Sequence, residues 1–190
     1  GNDNQASSAI ALGSNAGLSN QAFRSIAIGN RTGERNQQSY AIAIGYAAGR
    51  ITQNEYAIAI GAQAGNTLQG TASIAIGNNA GQTNQEYDSV AIGSNCGQFN
   101  QSSGSVAIGY NAGNTSQAAS SVAIGSYSGQ VSQSYATIAI GYKSGQFSQG
   151  TGGVALGAGA GTTGQGESAV AIGALAGSDK QQGAGVAVGV

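Results

Sequence analysis

Few residues in this chain are equipped for chemistry. It has no histidine, one cysteine and seven carboxylates among 190 residues. Without histidine, a Ser-His-Asp triad, a Cys-His dyad and a histidine metal site are excluded. The single Cys96 cannot form an intrachain disulfide, and it falls in a column of otherwise small residues, which reads as a core thiol. The aspartates are Asp3, Asp88 and Asp179, too few and too far apart for the calcium-binding β-roll signature. Glycines at 152, 153, 157, 159 and 161 mimic a phosphate loop, but they lie in phase with a structural repeat. The expectation is a chain that is not an enzyme, holds no cofactor and no metal, and acts through a surface.

That repeat organises everything else. Starting each unit at a glutamine (Gln5, Gln21, Gln37 and onward to Gln181) gives twelve starts sixteen residues apart, with no insertion or deletion. Place six is isoleucine or valine, place seven is always alanine, and place eight is isoleucine, leucine or valine. Place nine is always glycine (Gly13 to Gly189), and place thirteen is a second glycine series from Gly17 to Gly177. Small–large–small–large alternation over places five to eight is the period-two signature of a strand, and branched aliphatics favour that state. A helix is disfavoured, because each interior glycine costs about 1 kcal/mol relative to alanine. The fold class expected is therefore all-β: a parallel β-roll or β-solenoid of twelve 16-residue coils stacked about 4.8 Å apart, roughly 55 Å long. Residues 1–190 form a single such domain, expected to be a segment of a longer repeat-containing fibre.

Alternation sends the two sides of this strand in opposite directions. The aliphatic pair, represented by Ile58, Ile60, Ile74, Ile76, Val90, Ile92, Val106 and Ile108, is expected to be the core ladder. Burying one such side chain contributes roughly 1.5–3 kcal/mol. Places five and seven then point outward, and neither holds anything charged or larger than threonine in any unit. Solvent faces ordinarily drift toward long charged side chains. Ala43, Ala59, Ser73, Ala75, Ser89, Ala91, Ser105, Ala107, Ser121, Ala123 and Ala139 are accordingly expected to form an oligomer interface. The periodicity alone does not decide which side faces inward, and with either choice the opposite side is an uncharged strip suited to a second copy. The glutamine at place one has two readings: an amide ladder between coils, or a side chain satisfying turn backbone.

Composition narrows the partners. A formal net charge of −1 gives no basic footprint for nucleic acid and no polybasic membrane patch. No apolar run reaches the length of a spanning helix, so direct membrane insertion is not expected.

The string Ser-Val-Ala-Ile-Gly-x-x-Ala, complete at Ser105 to Ala112 and present from Ser89 with Cys96 in the last place, resembles the head repeats of trimeric autotransporter adhesins, the YadA-like family. Similar repeats occur in viral and phage fibre proteins. Copies at Ser73 to Ala80 and Ser121 to Ser128 read the same way. The resemblance implies a left-handed β-roll, side-by-side trimerisation, a cell-surface or virion-surface location, and display of an adhesive head to a host receptor, matrix protein or glycan. The family's unit is nearer fourteen residues, whereas this one has sixteen, with an added glycine and a constant glutamine.

Specificity must then lie in the variable places. Tyr40 and Tyr56 occupy one column in adjacent coils. Tyr46, Tyr110 and Tyr142 share another, and Phe99 and Phe147 a third. Exposed aromatic ladders are candidate contact surfaces, or else shields for the turns. The function expected is a structural or adhesive rod, homo-oligomeric with a trimer favoured. The alternative is an extracellular filament stacking end to end, and an ice-binding face ranks third because the threonines are scattered.

Overall fold

A computed structural model describes residues 3–189; Gly1, Asn2 and Val190, which complete the expected 1–190 domain, lie outside the described residues. Every strand is three residues long, and no helix occurs among the described residues. The chain coils once per sixteen residues and builds two parallel sheets. The aliphatic sheet has twelve strands, from Ile10–Leu12 to Val186–Val188. The glutamine sheet has ten, from Asp3–Gln5 to Phe147–Gln149, and single bridges carry it on through Thr163 to Asp179. Pairing keeps strict register: Val90 faces Val106, Ala91 faces Ala107 and Ile92 faces Ile108. The expected β-solenoid is the observed fold.

Strands this short require sharp bends between them, and the sequence supplies bends at fixed places. Gly93, at place nine, has φ 126°, and a Cβ there would stand 2.8 Å from the carbonyl oxygen of Gly109 in the next coil. Gly113, at place thirteen, has φ 50°, and its Cβ would meet Gln117 Oε1 at 2.5 Å. Only glycine gives both the left-handed backbone and this clearance. Places four, eleven and sixteen also turn left-handed, as at Asp88 (φ 55°), Asn95 (φ 56°) and Asn100 (φ 55°). Asparagine and aspartate tolerate that region better than other side chains with a Cβ.

The interior differs from the expected core. Ala43, Ala59, Ser73, Ala75, Ser89, Ala91, Ser105, Ala107, Ser121, Ala123 and Ala139 are all completely buried. They point into the coil and cannot be an oligomer interface. Ile58, Ile60, Ile74, Ile76, Val90, Ile92, Val106 and Ile108 point outward instead: Ile60 is 36% exposed and the other seven are half-buried. The reason is cross-section. Two three-residue strands closed by two turns enclose a space that alanine, serine and the small residues of place twelve already fill. The central cluster is Ala43 through Ala123 with Ala48, Ala64, Ala80, Cys96 and Ala112. An isoleucine per coil would not fit there.

The largest fully buried side chains are the place-one glutamines. Gln101 Nε2 donates to the Val90 carbonyl of the preceding coil at 2.8 Å and to Ser105 O at 3.4 Å. Gln85 and Gln117 repeat the pattern. Each glutamine therefore reaches across the interior and ties one sheet to the other. Amide-to-amide steps supplement this link, as from Gln37 to Gln53 Oε1 at 3.0 Å and from Gln149 to Gln165 Oε1 at 3.0 Å. Both readings of the glutamine are realised, with the bond to backbone the more regular. Serine at place five closes its own turn, Ser89 Oγ donating to Glu86 O at 2.6 Å.

Candidate interaction surfaces

The inward turn of the small residues leaves the aliphatic pair on the outside of a sheet. Two columns, places six and eight, run the length of the rod with isoleucine, valine or leucine at every step. Ile44 and Ile60 are 36% exposed, and Ile138, Ile140 and Ile172 are also on the open side. No charged residue occurs at places five to nine of any unit. In-register strands repeat this apolar strip without a break.

The aromatic columns flank that strip in the chain, at places four and ten. Tyr40 and Tyr56 stack, with centroids 5.1 Å apart and planes 8° from parallel. Phe23 meets Tyr40 edge-on at 6.0 Å, and the Arg24 guanidinium lies 4.6 Å from the Phe23 centroid. On the other flank Tyr46 is half-exposed, while Tyr110 and Tyr142 are two coils apart. Tyr127, at the neighbouring place eleven, stands between them at 5.3 and 6.3 Å, nearly perpendicular to both. Burial, and next the hydrogen bond with Tyr110, raises the Tyr127 phenol above its ordinary pKa. Lys143 Nζ lies 5.3 Å from the Tyr142 ring. Phe99 and Phe147 are each 40% exposed on the glutamine sheet, but threonine and valine strands separate them, so they form no continuous ladder.

Column reasoning missed several exposed side chains because it looked for vertical repetition. Tyr127 is reached by a sideways step, and Tyr87 and Tyr135, each 58% exposed, stand three coils apart in place three. Leu68 (49% exposed) and Leu175 are likewise single occurrences in polar or small columns. Their signal was local: a large apolar residue at a place that is elsewhere small or polar.

One ionic group is built into a corner. Glu34 is buried, and its Oε2 accepts from Arg31 Nε and Arg50 Nε, both at 2.9 Å. Burial alone would raise this carboxyl, but the hydrogen bonds from Arg31 and Arg50 outweigh it and hold the pKa below the ordinary glutamate value. The same bond to Glu34 raises Arg31. Cys96 is buried, its Sγ 2.9 Å from Gly93 O, and burial pushes the thiol up to about 12. A thiol so placed is unreactive near neutrality. Among the described residues no cluster of three or more histidine, cysteine or carboxylate side chains could hold a metal ion. Among the same residues no helix is long and apolar enough to cross a membrane. No family model, curated protein or solved structure matches this chain.

Proposed function

We propose that the chain is a structural and adhesive rod, part of a cell-surface adhesin head or a viral fibre, that associates with copies of itself through the aliphatic sheet. The observation that carries this reading is the unbroken isoleucine–valine strip. At about 4.8 Å per coil and 3.3 Å per residue, two columns through twelve coils cover roughly 650 Å² once side-chain width is included. That exceeds the usual size of an apolar patch on a monomer and approaches the ~800 Å² per partner of a stable interface. The strip is in register and uncharged, so another copy of the same strip is the simplest cover. The turns, where the tyrosines and most of the charged residues sit, remain free for a receptor, matrix protein or glycan.

Native mass with electron microscopy tests the reading. A finite oligomer of side-by-side rods, a trimer as the YadA-like resemblance implies, supports it, and Ile92→Glu with Ile108→Glu should reduce that species to monomer. Micrometre fibres with a cross-β spacing would favour end-to-end stacking instead. A monomer at every accessible concentration would overturn self-association. Adhesion is read separately, by retention of chain-coated beads on immobilised matrix proteins and on cell surfaces.

A further inference from the structure

Place two of the repeat holds Asn54, Gly70 and Glu86 in three successive coils. All three line a groove of about 280 Å³ on the outside of the turn. Leu68 and Tyr87, both exposed, line it together with Thr71 and Asn84. Asn54 and Glu86 are two coil spacings apart, about 9.6 Å between their backbones. Glu86 is held in place, because its Oε2 accepts from the Ser103 N–H at 3.0 Å, which leaves Oε1 as a free acceptor. Asn84 Nδ2 donates to Asn100 Oδ1 at 3.2 Å, which leaves its own Oδ1 to accept. The lining residues therefore offer an aromatic ring, an aliphatic side chain, two acceptors and the Asn54 amide.

We propose that this groove is a carbohydrate subsite that takes a neutral pyranose unit of a glycan. A pyranose presents C–H groups on one face and hydroxyl donors around its rim, and it needs both kinds of partner at once. Tyr87 supplies the ring for the C–H face, since aromatic side chains combine apolar area with low conformational cost. Glu86 Oε1 and Asn84 Oδ1 accept from hydroxyls, and charge-assisted bonds of this kind are the stronger ones. The surrounding turn selects against acidic sugars. Glu55 and Asp88 lie on it with Glu86, and no lysine or arginine occurs among residues 54–56, 70–72 and 86–88. The place-three tyrosine three coils away serves as an internal control. Tyr135 is equally exposed, but serine replaces Leu68 and Glu86 in its surroundings (Ser116 and Ser134), and Ala118 replaces Gly70.

This subsite rests on the adhesive reading above and gives it a ligand class. The test is saturation-transfer NMR on the intact chain with lactose, diacetylchitobiose and maltose as neutral probes and 3′-sialyllactose as the acidic one. Transfer to the C–H protons of a neutral probe is expected, with about tenfold weaker binding in Tyr87→Ala, a loss equivalent to ~1.4 kcal/mol. Glu86→Gln should weaken binding severalfold, and Tyr135→Ala should leave it unchanged. Both tyrosines are exposed turn residues, so their variants are expected to fold. No transfer to any neutral probe, undiminished transfer in Tyr87→Ala, or preference for sialyllactose would overturn the subsite. Bead retention that survives Tyr87→Ala and excess saccharide would overturn it while leaving adhesion standing. Loss of all retention in the parent chain would remove the adhesive reading itself.

Discussion

Exchanging the usual expectations for alanine and isoleucine gives the sharpest test of this fold. Ala91 is completely buried between the sheets, where a Cβ placed on Gly97 would already stand 3.2 Å from the Ala91 methyl. Leucine at 91 adds three carbons to a space that barely admits one more. Overpacking a close-packed interior costs 1–3 kcal/mol, and with no neighbouring side chain able to move aside the cost here should reach about 3 kcal/mol. Ile92 is half-buried on the outer face, so Ile92→Ser should cost the isolated coil only about 1 kcal/mol, part of what full burial contributes. The assay is amide hydrogen exchange at Val90, Gly93, Val106 and Gly109, whose N–H groups all bond to neighbouring coils. Exchange reports local opening, which suits a repeat whose coils are stabilised by nearest neighbours. Measured in solutions dilute enough to be monomeric, Ala91→Leu should speed exchange at these amides more than a hundredfold, and Ile92→Ser about fivefold. The reverse order, with leucine tolerated and serine opening the coil, would refute the assignment of inside and outside.

Three further outcomes follow from named contacts. Gln101→Leu removes the amide that ties Val90 O and Ser105 O together; Ser105 O keeps the Val90 N–H, so the cost is that of the lost hydrogen bonds, about 1–2 kcal/mol, read as faster exchange in the coils on either side. Glu34 has a depressed folded pKa, so its contribution is present above the ordinary glutamate value and is lost as pH falls through the lower folded value. The coils around Glu34 should therefore open in that acid window, and an NMR titration of Arg50→Gln should move the carboxyl back toward its ordinary value. Cys96, with its thiol pushed up to about 12, should resist an aromatic disulfide reagent at pH 8 in the folded chain and react at once in denaturant; prompt labelling of the native rod would contradict its burial.

Period and register were legible without coordinates. Glycine at Gly93 and Gly97, alanine at Ala91 and glutamine at Gln101 recur at sixteen with no slippage, and only a stack of equivalent coils gives every copy the same surroundings. Stacked Tyr40 and Tyr56 were legible for the same reason, because a shared place in adjacent coils means vertical neighbours. The Tyr110–Tyr127–Tyr142 group and the Gly70 groove were not. Both depend on steps between columns, and those distances are set by the shape of the turns.

The sequence by itself determined that this chain is a parallel β-solenoid with one uncharged strand per coil, since strict periodicity and alternation constrain pairing locally and repeat the answer twelve times. It could not determine which side of that strand is inside. Hydrophobicity assigned the interior to Val90 and Ile92, and the tertiary structure assigned it to Ser89 and Ala91. The deciding quantity was the space between two three-residue strands closed by glycine bends, which admits small side chains, an occasional threonine and a flat amide but not a pair of large aliphatics in every coil. Volume overruled hydrophobicity, and the displaced isoleucines and valines became the outer face.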